Sequence, residues 1–303
     1  MNAPILVTGS HRSGTTWVGR MLCQSGEAAY IHEPMCPNRS PGWLTRPMPR
    51  WFMYITEENE GPYVEPMRRV LELRFPARSI AAIRHPKHAA RIAPELGRAL
   101  AYRARKLRPL LKDPFALFSA EWLADRFGVQ PVVMIRRPVA FVSSLKKLNW
   151  GFDYEREWLS QDLLVRDHLS AHRQNFVGYE GEVDLVGEGI VMWNAMYDYV
   201  AELRRRRPGF TFVRYEELAA DPVDGYRRLY ETLGLRWNDE VRAKIASYSD
   251  SANPKDVSPR RRRAIKRDST AATETWRSRL TPEEAARVER ETSEVAAALY
   301  AEG

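Results

Sequence analysis

Cysteine is almost absent from this chain, with Cys23 and Cys36 the only two among 303 residues. Two thiols at unrelated positions make neither a disulfide framework nor a zinc site, so we expect both to be reduced. No stretch approaches the roughly 20 apolar residues of a membrane-spanning helix. A predicted strand begins at Ile5, which leaves no room for a secretory leader. We therefore expect a cytoplasmic protein.

Acidic residues are scarce in one region of the chain. Between Arg68 and Lys112 there are thirteen Lys/Arg and two acidic residues, a local net charge of +11, whereas the whole chain carries +8. The positive field is therefore regional. It would attract an anionic small molecule, an acidic acceptor or an anionic lipid surface, although a solvated helix face explains it equally well. No nucleic-acid-binding module is recognisable, and we expect no nucleic-acid partner.

Short apolar runs alternate with helical patterns along the chain. The predicted strands are 5–7, 30–32, 109–112, 131–135 and 211–213, and the predicted helices are about 15–25, 64–73, 87–107, 115–127, 138–148, 190–204, 222–233, 239–247 and one opening at Thr281. This alternation predicts an α/β protein with a P-loop-type three-layer fold, in which helices flank a central parallel sheet. We expect one domain over 1–303, with covering insertions at about 34–108 and 149–188.

The segment Thr8–Trp17 carries the strongest chemical signal. It joins the first predicted strand to a helix through a loop bounded by Gly9 and Gly14, an arrangement that points backbone N–H groups at an anion. The glycines have the Walker spacing, but Thr15 stands where ATP- and GTP-binding loops carry lysine, which argues against a triphosphate. Arg12 and the hydroxyls of Thr15 and Thr16 suit one phosphate joined to another small tetrahedral anion.

A second anion grip follows the most apolar strand. Arg136 ends this strand and Ser144 comes eight residues later on the next helix, which brings a guanidinium and a hydroxyl together. Ser143 competes with Ser144 for this place. A kinase would carry a magnesium-binding aspartate at such a strand end, and the arginine found here predicts no metal site.

Both motifs resemble those of the sulfotransferases that use 3′-phosphoadenosine 5′-phosphosulfate (PAPS). The family's 5′-phosphosulfate loop is approximately Pro-Lys/Arg-Ser-Gly-Thr-Thr-Trp, and His11-Arg12 here replaces Pro-Lys. The second grip is similar to the family's 3′-phosphate motif, with Arg137 in place of the usual Asn or Asp. The resemblance, closest to bacterial and carbohydrate-type members, implies in-line transfer of the sulfuryl group from PAPS to an acceptor hydroxyl. The product would be adenosine 3′,5′-bisphosphate (PAP).

The resemblance also implies roles for individual residues. Arg12, assisted by Lys112, would meet the charge that develops during transfer. Trp17 would lie near the adenine, although a core position is equally compatible with its place at a helix start. The late segment 260–277 lacks the family's usual glycines, and 260–263 also fit a solvated basic loop. The complete cofactor-binding set is Arg12, Ser13, Gly14, Thr15, Thr16, Trp17, Arg136, Ser144, Arg267, Ser269 and Trp276.

The acceptor hydroxyl must lose a proton during transfer, and Glu33 is the leading candidate for the base. It ends the second predicted strand, which we expect beside the first, and a glutamate at a comparable place serves as base in the family's carbohydrate-type members. His32 and His11 are alternatives. The histidine that cytosolic-type members use has no counterpart after Lys112, where Asp113 stands.

The acceptor itself is left open by the sequence. The aromatic segments 34–62 and 149–188 are predicted to line its pocket, and they suit a hydroxyl-bearing small molecule, a sugar, a glycolipid or an aromatic natural product. Peripheral contact with the anionic inner membrane surface also stays open. The competing interpretations are a P-loop small-molecule kinase and a basic protein that binds membranes or nucleic acid and retains a relic loop.

Overall fold

The computed structural model describes residues 2–176, 184–255 and 266–301. Its central sheet has five strands in the order β2-β3-β1-β4-β5. All four pairings are parallel. The strands are β1 (Ile5–Gly9), β2 (Ala28–His32), β3 (Arg108–Lys112), β4 (Gln130–Ile135) and β5 (Thr211–Arg214). The predicted α/β fold with a parallel central sheet flanked by helices is confirmed.

The α-helices cover both faces and the ends of the sheet. They are α1 (Thr15–Leu22), α2 (Gly61–Leu71), α3 (Ala77–Ala81), α4 (Pro86–Ala104), α5 (Ala120–Phe127), α6 (Pro138–Leu148), α7 (Asp162–Leu164), α8 (Leu185–Arg206), α9 (Tyr215–Ala220), α10 (Pro222–Thr232), α11 (Asp239–Ser249), α12 (Pro282–Glu291) and α13 (Ser293–Tyr300). Tighter 3₁₀ turns occur at Pro37–Arg39, Pro114–Ser119, Ser170–Phe176, Ala271–Thr273 and Thr275–Ser278, and wider π turns at Glu155–Leu159 and Val165–Leu169. In the three described ranges, none of the helices is long and apolar enough to cross a membrane.

β4 shows how the layers are built. Val132 and Met134 pack into the core that contains α1 and α10, whereas Val133 and Ile135 pack into the core formed with α6 and α8. Side chains alternate across a strand, so an uninterrupted apolar run means that both faces of the strand are covered. The same reasoning explains β1, whose five residues are all buried.

Several local predictions require correction. β2 pairs with β3 and not with β1, because β3 lies between them in the sheet. The helix predicted from Phe115 begins as the 3₁₀ turn Pro114–Ser119, since the Asp113 side chain accepts a hydrogen bond from Phe115 N and caps a tighter turn. The short helix α3 was not predicted. By contrast, α6 has the predicted bounds, and Thr281 and Glu284 form the predicted capping box of α12.

Candidate active site

The loop after β1 has a conformation that only glycine permits at its ends. Gly9 and Gly14 have φ values of +130° and +96°. A Cβ atom at Gly14 would lie 2.4 Å from Cδ2 of Tyr215. Between the glycines, Ser13 donates hydrogen bonds to the carbonyl of Ser10 from its backbone N at 3.2 Å and from its hydroxyl at 2.5 Å. These contacts curl the backbone into a tight turn at the carboxyl edge of the sheet.

This turn presents the start of α1 to a ligand. The N-cap residue is Gly14, and no side-chain cap bonds to the first N–H groups of the helix in the described structure. Thr15 is buried and Thr16 is exposed at the same end. An uncapped helix N-terminus with its positive dipole end is a suitable binding place for an anion. The geometry therefore fits the predicted phosphate cradle.

Arg12 connects this loop to the second predicted grip. It adopts a left-handed conformation with φ of +66°, which is uncommon for a residue with a side chain. Its Nε donates a hydrogen bond of 2.8 Å to the Oγ of Ser144 on α6. The neighbouring Ser143 is fully buried and its hydroxyl donates to the carbonyl of Ala140. Of the two serines, Ser144 is the one that contacts Arg12.

Arg136, at the end of β4, is packed on all sides. Its guanidinium carbon lies 3.8 Å from the centre of the Tyr215 ring. Its Nε is 3.5 Å from the Oε1 of Glu216. The adjacent Arg137 is exposed, and its backbone N donates to the same carboxylate oxygen at 3.1 Å. Burial agrees with the choice of Arg136 over Arg137 that its position at the strand end predicts, because Arg136 is buried and Arg137 is exposed.

Arg267 approaches the same aromatic ring from the C-terminal segment. Burial disfavours ionisation of Tyr215, but the cations Arg267 and Arg136 outweigh it and lower the pKa of the phenol below its usual value. The Nε atoms of both arginines are buried and lack hydrogen-bond partners among the described residues, although that of Arg136 has the ion-pair contact with Glu216. The Nε of Arg267 is thus a buried cationic donor that fits an anionic ligand, because a buried polar group without a partner is costly.

The hydroxyl of Tyr197 on α8 contacts both predicted anion-binding elements. Its hydroxyl lies 2.8 Å from the Oγ of Ser10 and accepts a hydrogen bond of 3.0 Å from the backbone N of Arg136. One turn earlier, the indole of Trp193 donates to the carbonyl of Arg136 at 2.9 Å. Both side chains are fully buried. The sequence reading missed these two residues, because no local pattern indicates which side chains of a buried helix reach a strand end.

Tyr215 and Glu216 were also missed as site residues. They lie directly after β5, in the first turn of α9, where the sequence predicts no chemistry. Gly14 and Arg136 both contact the Tyr215 ring, and Glu216 holds Arg136 and Arg137. The signal available in the sequence was the position of this segment directly after a strand, at the carboxyl edge where sites of open α/β sheets occur.

Glu33 lies on the opposite side of the loop, at the end of β2. Its carboxylate forms an ion pair with the ammonium of Lys112, and Arg39 Nε and His32 Nε2 lie 3.5 Å and 3.7 Å from its Oε2. The Glu33 side chain is 21% exposed, whereas that of Lys112 is 1% exposed. Register explains the pairing, since His32 is aligned with Lys112 across β2 and β3. Glu33 is thus an anchored carboxylate that remains accessible.

Two further titratable groups lie beneath Glu33. Burial lowers the pKa of Lys112, against the favourable influence of Glu33. Burial and the Glu33 carboxylate raise the pKa of Asp113 to about 7. The Asp113 carboxyl accepts hydrogen bonds from the backbone N of Met35 at 2.6 Å and of Phe115 at 3.0 Å. These bonds fix the chain on both sides of the Glu33–Lys112 pair.

The two histidines considered as alternative bases have environments that disfavour protonation. Burial, reinforced by the charge of Arg12, lowers the pKa of His11 to about 3. The His11 ring is surrounded by Phe52, Phe141 and Trp150, with ring centroids 5.6, 5.3 and 4.9 Å away. Burial and several nearby cations, Lys112 first among them, lower the pKa of His32 to about 2.

The remaining predicted residues occupy varied places. Trp17 is 1% exposed and packs edge-on against Tyr215 and Tyr226, which places it in the core beneath the loop. The hydroxyl of Ser269 is buried and donates to the carbonyl of Ala219. Trp276 is half-buried and lines a cavity of about 870 Å³ between Arg137 and the helices α12 and α13. The basic residues 260–263 lie outside the described residues.

Within residues 2–176, 184–255 and 266–301, no group of three or more His, Cys, Asp or Glu side chains is arranged to hold a metal ion.

The comparison with protein families decides the classification. The model described as the sulfotransferase family matches residues 4–239. This chain belongs to the sulfotransferase family. No curated protein matches the sequence.

Solved structures of sulfotransferases are similar over almost the whole chain. Sulfotransferase STF9 from Mycobacterium avium is 16% identical, with a TM-score of 0.44, over 97% of this chain and 76% of that chain. The sulfotransferase domain of the Synechococcus PCC 7002 olefin synthase is 15% identical, with a TM-score of 0.44, over 97% and 96%. Mouse sulfotransferase SULT7A1, complexed with PAP, is 14% identical, with a TM-score of 0.46, over 97% and 84%.

Proposed function

We propose that this sulfotransferase moves the sulfuryl group of PAPS to an acceptor hydroxyl in one in-line displacement, with Glu33 as general base. The observation that carries the proposal is the order of groups along one sheet edge. The strands β2, β3, β1 and β4 are neighbours in that order. Glu33 follows β2, Lys112 is the last residue of β3, the anion-binding loop follows β1, and Arg136 follows β4. A carboxylate thus lies at one end of the row and the anion grips at the other.

The residues at this edge suit both anionic ends of PAPS. The backbone of Ser13–Thr16 and the hydroxyls of Thr15 and Thr16 would hold the 5′ side, at the uncapped start of α1. Arg136, Ser144 and Arg267 would hold the 3′-phosphate, as supported by the buried Nε of Arg267, which has no hydrogen-bond partner among the described residues. When bound, PAPS supplies a sulfuryl group whose bond to the 5′-phosphate breaks as its bond to the acceptor oxygen forms.

Arg12 and Lys112 have complementary tasks in this proposal. Arg12 is exposed at the loop and bridges the two grips through Ser144, so its guanidinium is available to the charge that develops between the sulfuryl group and the 5′-phosphate. Lys112 is buried against Glu33. It orients the carboxylate and balances its charge before the acceptor proton arrives.

The environments of the two histidines argue against either of them as the base. A general base works best when its pKa lies near the working pH, and imidazoles with pKa values of about 2 and 3 are weak bases at neutral pH. His11 is also enclosed by aromatic rings. Glu33 Oε2 lies 3.5 and 3.7 Å from the nearest cationic nitrogens of Arg39 and His32, while Lys112 holds the other oxygen.

Aromatic side chains beside the loop support a hydroxyl-bearing small-molecule acceptor, such as a sugar, a glycolipid or an aromatic natural product. Trp51 and Trp150 are half-buried, and their ring centroids lie 5.6 Å apart at an interplanar angle of 90°. Trp150 also contacts His11 of the loop. Partly exposed indoles present apolar faces on which a ring-bearing acceptor can stack.

The decisive experiment is to incubate the protein with PAPS and an extract of hydroxylated metabolites, followed by mass spectrometry for addition of a sulfuryl group. We expect at least one sulfated product that is absent without PAPS. Glu33→Gln should lower turnover by about 10²- to 10⁴-fold, the usual contribution of a general base, with PAP affinity retained. Glu95→Gln is the control, since Glu95 pairs with Arg39, as Glu33 does, whereas the ion pair with Lys112 belongs to Glu33. Glu33→Gln with turnover like that of wild type would refute the base assignment.

A further inference from the structure

We propose that the acceptor of this sulfotransferase carries an anionic group, a carboxylate, phosphate or sulfate, which binds beside Glu33. The proposal rests on the function proposed above, because it names the acceptor class of the same site. The residues that carry it form an arginine cluster, which comprises Arg20, Arg39, Arg91 and Arg98. These residues come from three separate elements, α1, the 3₁₀ turn after β2, and α4.

Arg39 connects α4 to the proposed base. Its Nε lies 3.5 Å from the Oε2 of Glu33, and its Nη1 lies 3.5 Å from the Oε1 of Glu95, a buried residue of α4. Arg91, one turn before Glu95, donates a hydrogen bond of 2.6 Å from its Nη2 to the carbonyl of Pro41. These contacts place the side of α4 that carries Arg91 and Glu95 against the segment that follows β2.

Arg98 lies on the same side of α4, three residues after Glu95. An α-helix turns once in 3.6 residues, so positions 91, 95 and 98 follow one another along one side. Burial raises the pKa of Glu95, and Arg98 is one of three arginines whose charge opposes this rise. Burial and nearby cations, Lys112 first among them, lower the pKa of His32, and Arg98 is one of these cations. Charges separated by much more than about 10 Å are largely screened, so Arg98 lies close to both groups.

Arg20 approaches the same place from α1. Its guanidinium carbon lies 4.2 Å from the centre of the Tyr30 ring. That ring is stacked on His32, with centroids 5.9 Å apart and an interplanar angle of 21°, and the Tyr30 hydroxyl lies 3.2 Å from the Nδ1 of His32. Arg20 also contributes to the low pKa of His32, as Arg98 does. The cluster therefore converges from two helices on His32, the residue next to Glu33.

The arginine cluster carries more positive charge than its own carboxylates balance. Glu33 and Glu95 share Arg39, whereas Arg20, Arg91 and Arg98 form no ion pair with a carboxylate in the described parts of the chain. The Nε atoms of Arg20 and Arg91 are buried and have no hydrogen-bond partner there. Like charges held together and buried donors left unpaired both cost stability. An anionic group bound by the guanidinium groups would offset both costs.

An anion at this place belongs to the acceptor and not to PAPS. The residues proposed to hold PAPS follow β1 and β4, and β3 separates β1 from β2. The cluster borders Glu33, which follows β2 and which the acceptor hydroxyl must reach to lose its proton. An acceptor in that position would have its anionic group within reach of the cluster. The structure therefore favours a hydroxylated acid, such as a sugar acid or a sugar phosphate, over a neutral acceptor.

The test divides the extract of hydroxylated metabolites on an anion-exchange resin at neutral pH, before each fraction is incubated with the full chain and PAPS. We expect sulfated products from the bound, anionic fraction and few or none from the unbound, neutral fraction. An equal or larger yield from the neutral fraction would overturn the inference and leave the proposed sulfuryl transfer intact. No product from either fraction would refute the proposed function, on which the inference rests.

Variants of the exposed Arg98 test the cluster itself. Arg98→Gln should raise the KM for the anionic acceptor about 10-fold, the worth of one hydrogen bond to a charged group, with kcat and PAP affinity unchanged. Arg98→Lys keeps the charge and should recover much of this loss. The matched control is Arg103→Gln, which removes an exposed cation from another side of the same helix and should leave KM unchanged. A wild-type KM in Arg98→Gln, or an equal rise in both glutamine variants, would overturn the proposal.

Discussion

The hydroxyl of Tyr197 lies 2.8 Å from the Oγ of Ser10. The same oxygen accepts a hydrogen bond from the backbone N of Arg136, so a single buried phenol fixes the loop after β1 relative to the end of β4. The two proposed grips for the ends of PAPS therefore share one support on α8. Their separation is determined by the packing of this helix against the sheet.

Tyr197→Phe should weaken PAP binding as well as stability. The substitution leaves the buried N–H of Arg136 without its partner, which costs about 1–3 kcal/mol of unfolding free energy. Tyr230→Phe is the control, since its hydroxyl donates to the carbonyl of Met21 at 2.6 Å, away from both grips. Urea denaturation and calorimetric titration with PAP separate the two effects. Equal PAP affinities in the two variants would mean that Tyr197 has no positioning role.

Arg136→Lys should reduce PAP affinity by about 10-fold or more, since a lysine replaces bidentate phosphate contacts with a single point charge. Arg137→Lys provides a matched control one residue away, on an exposed side chain. The loss should disappear when adenosine 5′-phosphosulfate, which lacks the 3′-phosphate, is titrated instead of PAP. A loss of the same size with both nucleotides would assign Arg136 to some other part of the ligand.

Gly14→Ala should destabilise the protein by more than the cost of placing an alanine in the positive-φ conformation of Gly14. Gly128→Ala measures that cost alone, because Gly128 also has a positive φ of +63° but open space around its Cβ position. We expect about 1–2 kcal/mol for Gly128→Ala. For Gly14→Ala we expect a further 1–3 kcal/mol from the clash with Tyr215, accompanied by loss of PAP binding. If the two variants are equally stable and Gly14→Ala binds PAP normally, the close packing of Tyr215 on this loop is not required.

Because of Asp113, the free energy of unfolding should decrease as the pH rises. Its pKa of about 7 in the folded protein exceeds the ordinary value of about 3.9 for an unfolded chain. Between these values the folded state keeps a proton that the unfolded state releases, so the free energy of unfolding decreases by up to about 1.4 kcal/mol per pH unit. Asp113→Asn should flatten this slope in urea denaturation between about pH 4 and 7, whatever its effect on absolute stability. Asp239→Asn, at an exposed position, should leave the slope unchanged. An unchanged slope in Asp113→Asn would show that another group titrates.

Much of the fold follows from the sequence because buried parallel strands have a strong local signal. Val132–Ile135 is a continuous apolar run that ends before Arg136, and β4 also ends at Ile135. Strand order has no such signal. The insertion of β3 between β1 and β2 depends on how the covering segments cross the sheet, and this is why Glu33 faces Lys112 rather than the loop.

The candidate site also contains residues that local sequence predicts and residues whose place depends on long-range packing. Arg12, Arg136 and Ser144 can be predicted from the sequence because each stands at a fixed distance from a strand end. Tyr197 is more than 180 residues from Ser10, and contact between them depends on the path of α8 across the sheet. Trp17 shows the opposite case, in which a motif residue is buried against Tyr215 and Tyr226 and supports the loop from its core side.

Calorimetric titration with PAP and with ATP–Mg²⁺ tests the central claim most directly. The account predicts saturable binding of PAP that is lost in Gly14→Ala, and weak or undetectable binding of ATP–Mg²⁺, because Thr15 replaces the lysine that a triphosphate requires. Tight binding of ATP–Mg²⁺ together with no affinity for PAP would contradict the claim that this loop holds a phosphosulfate.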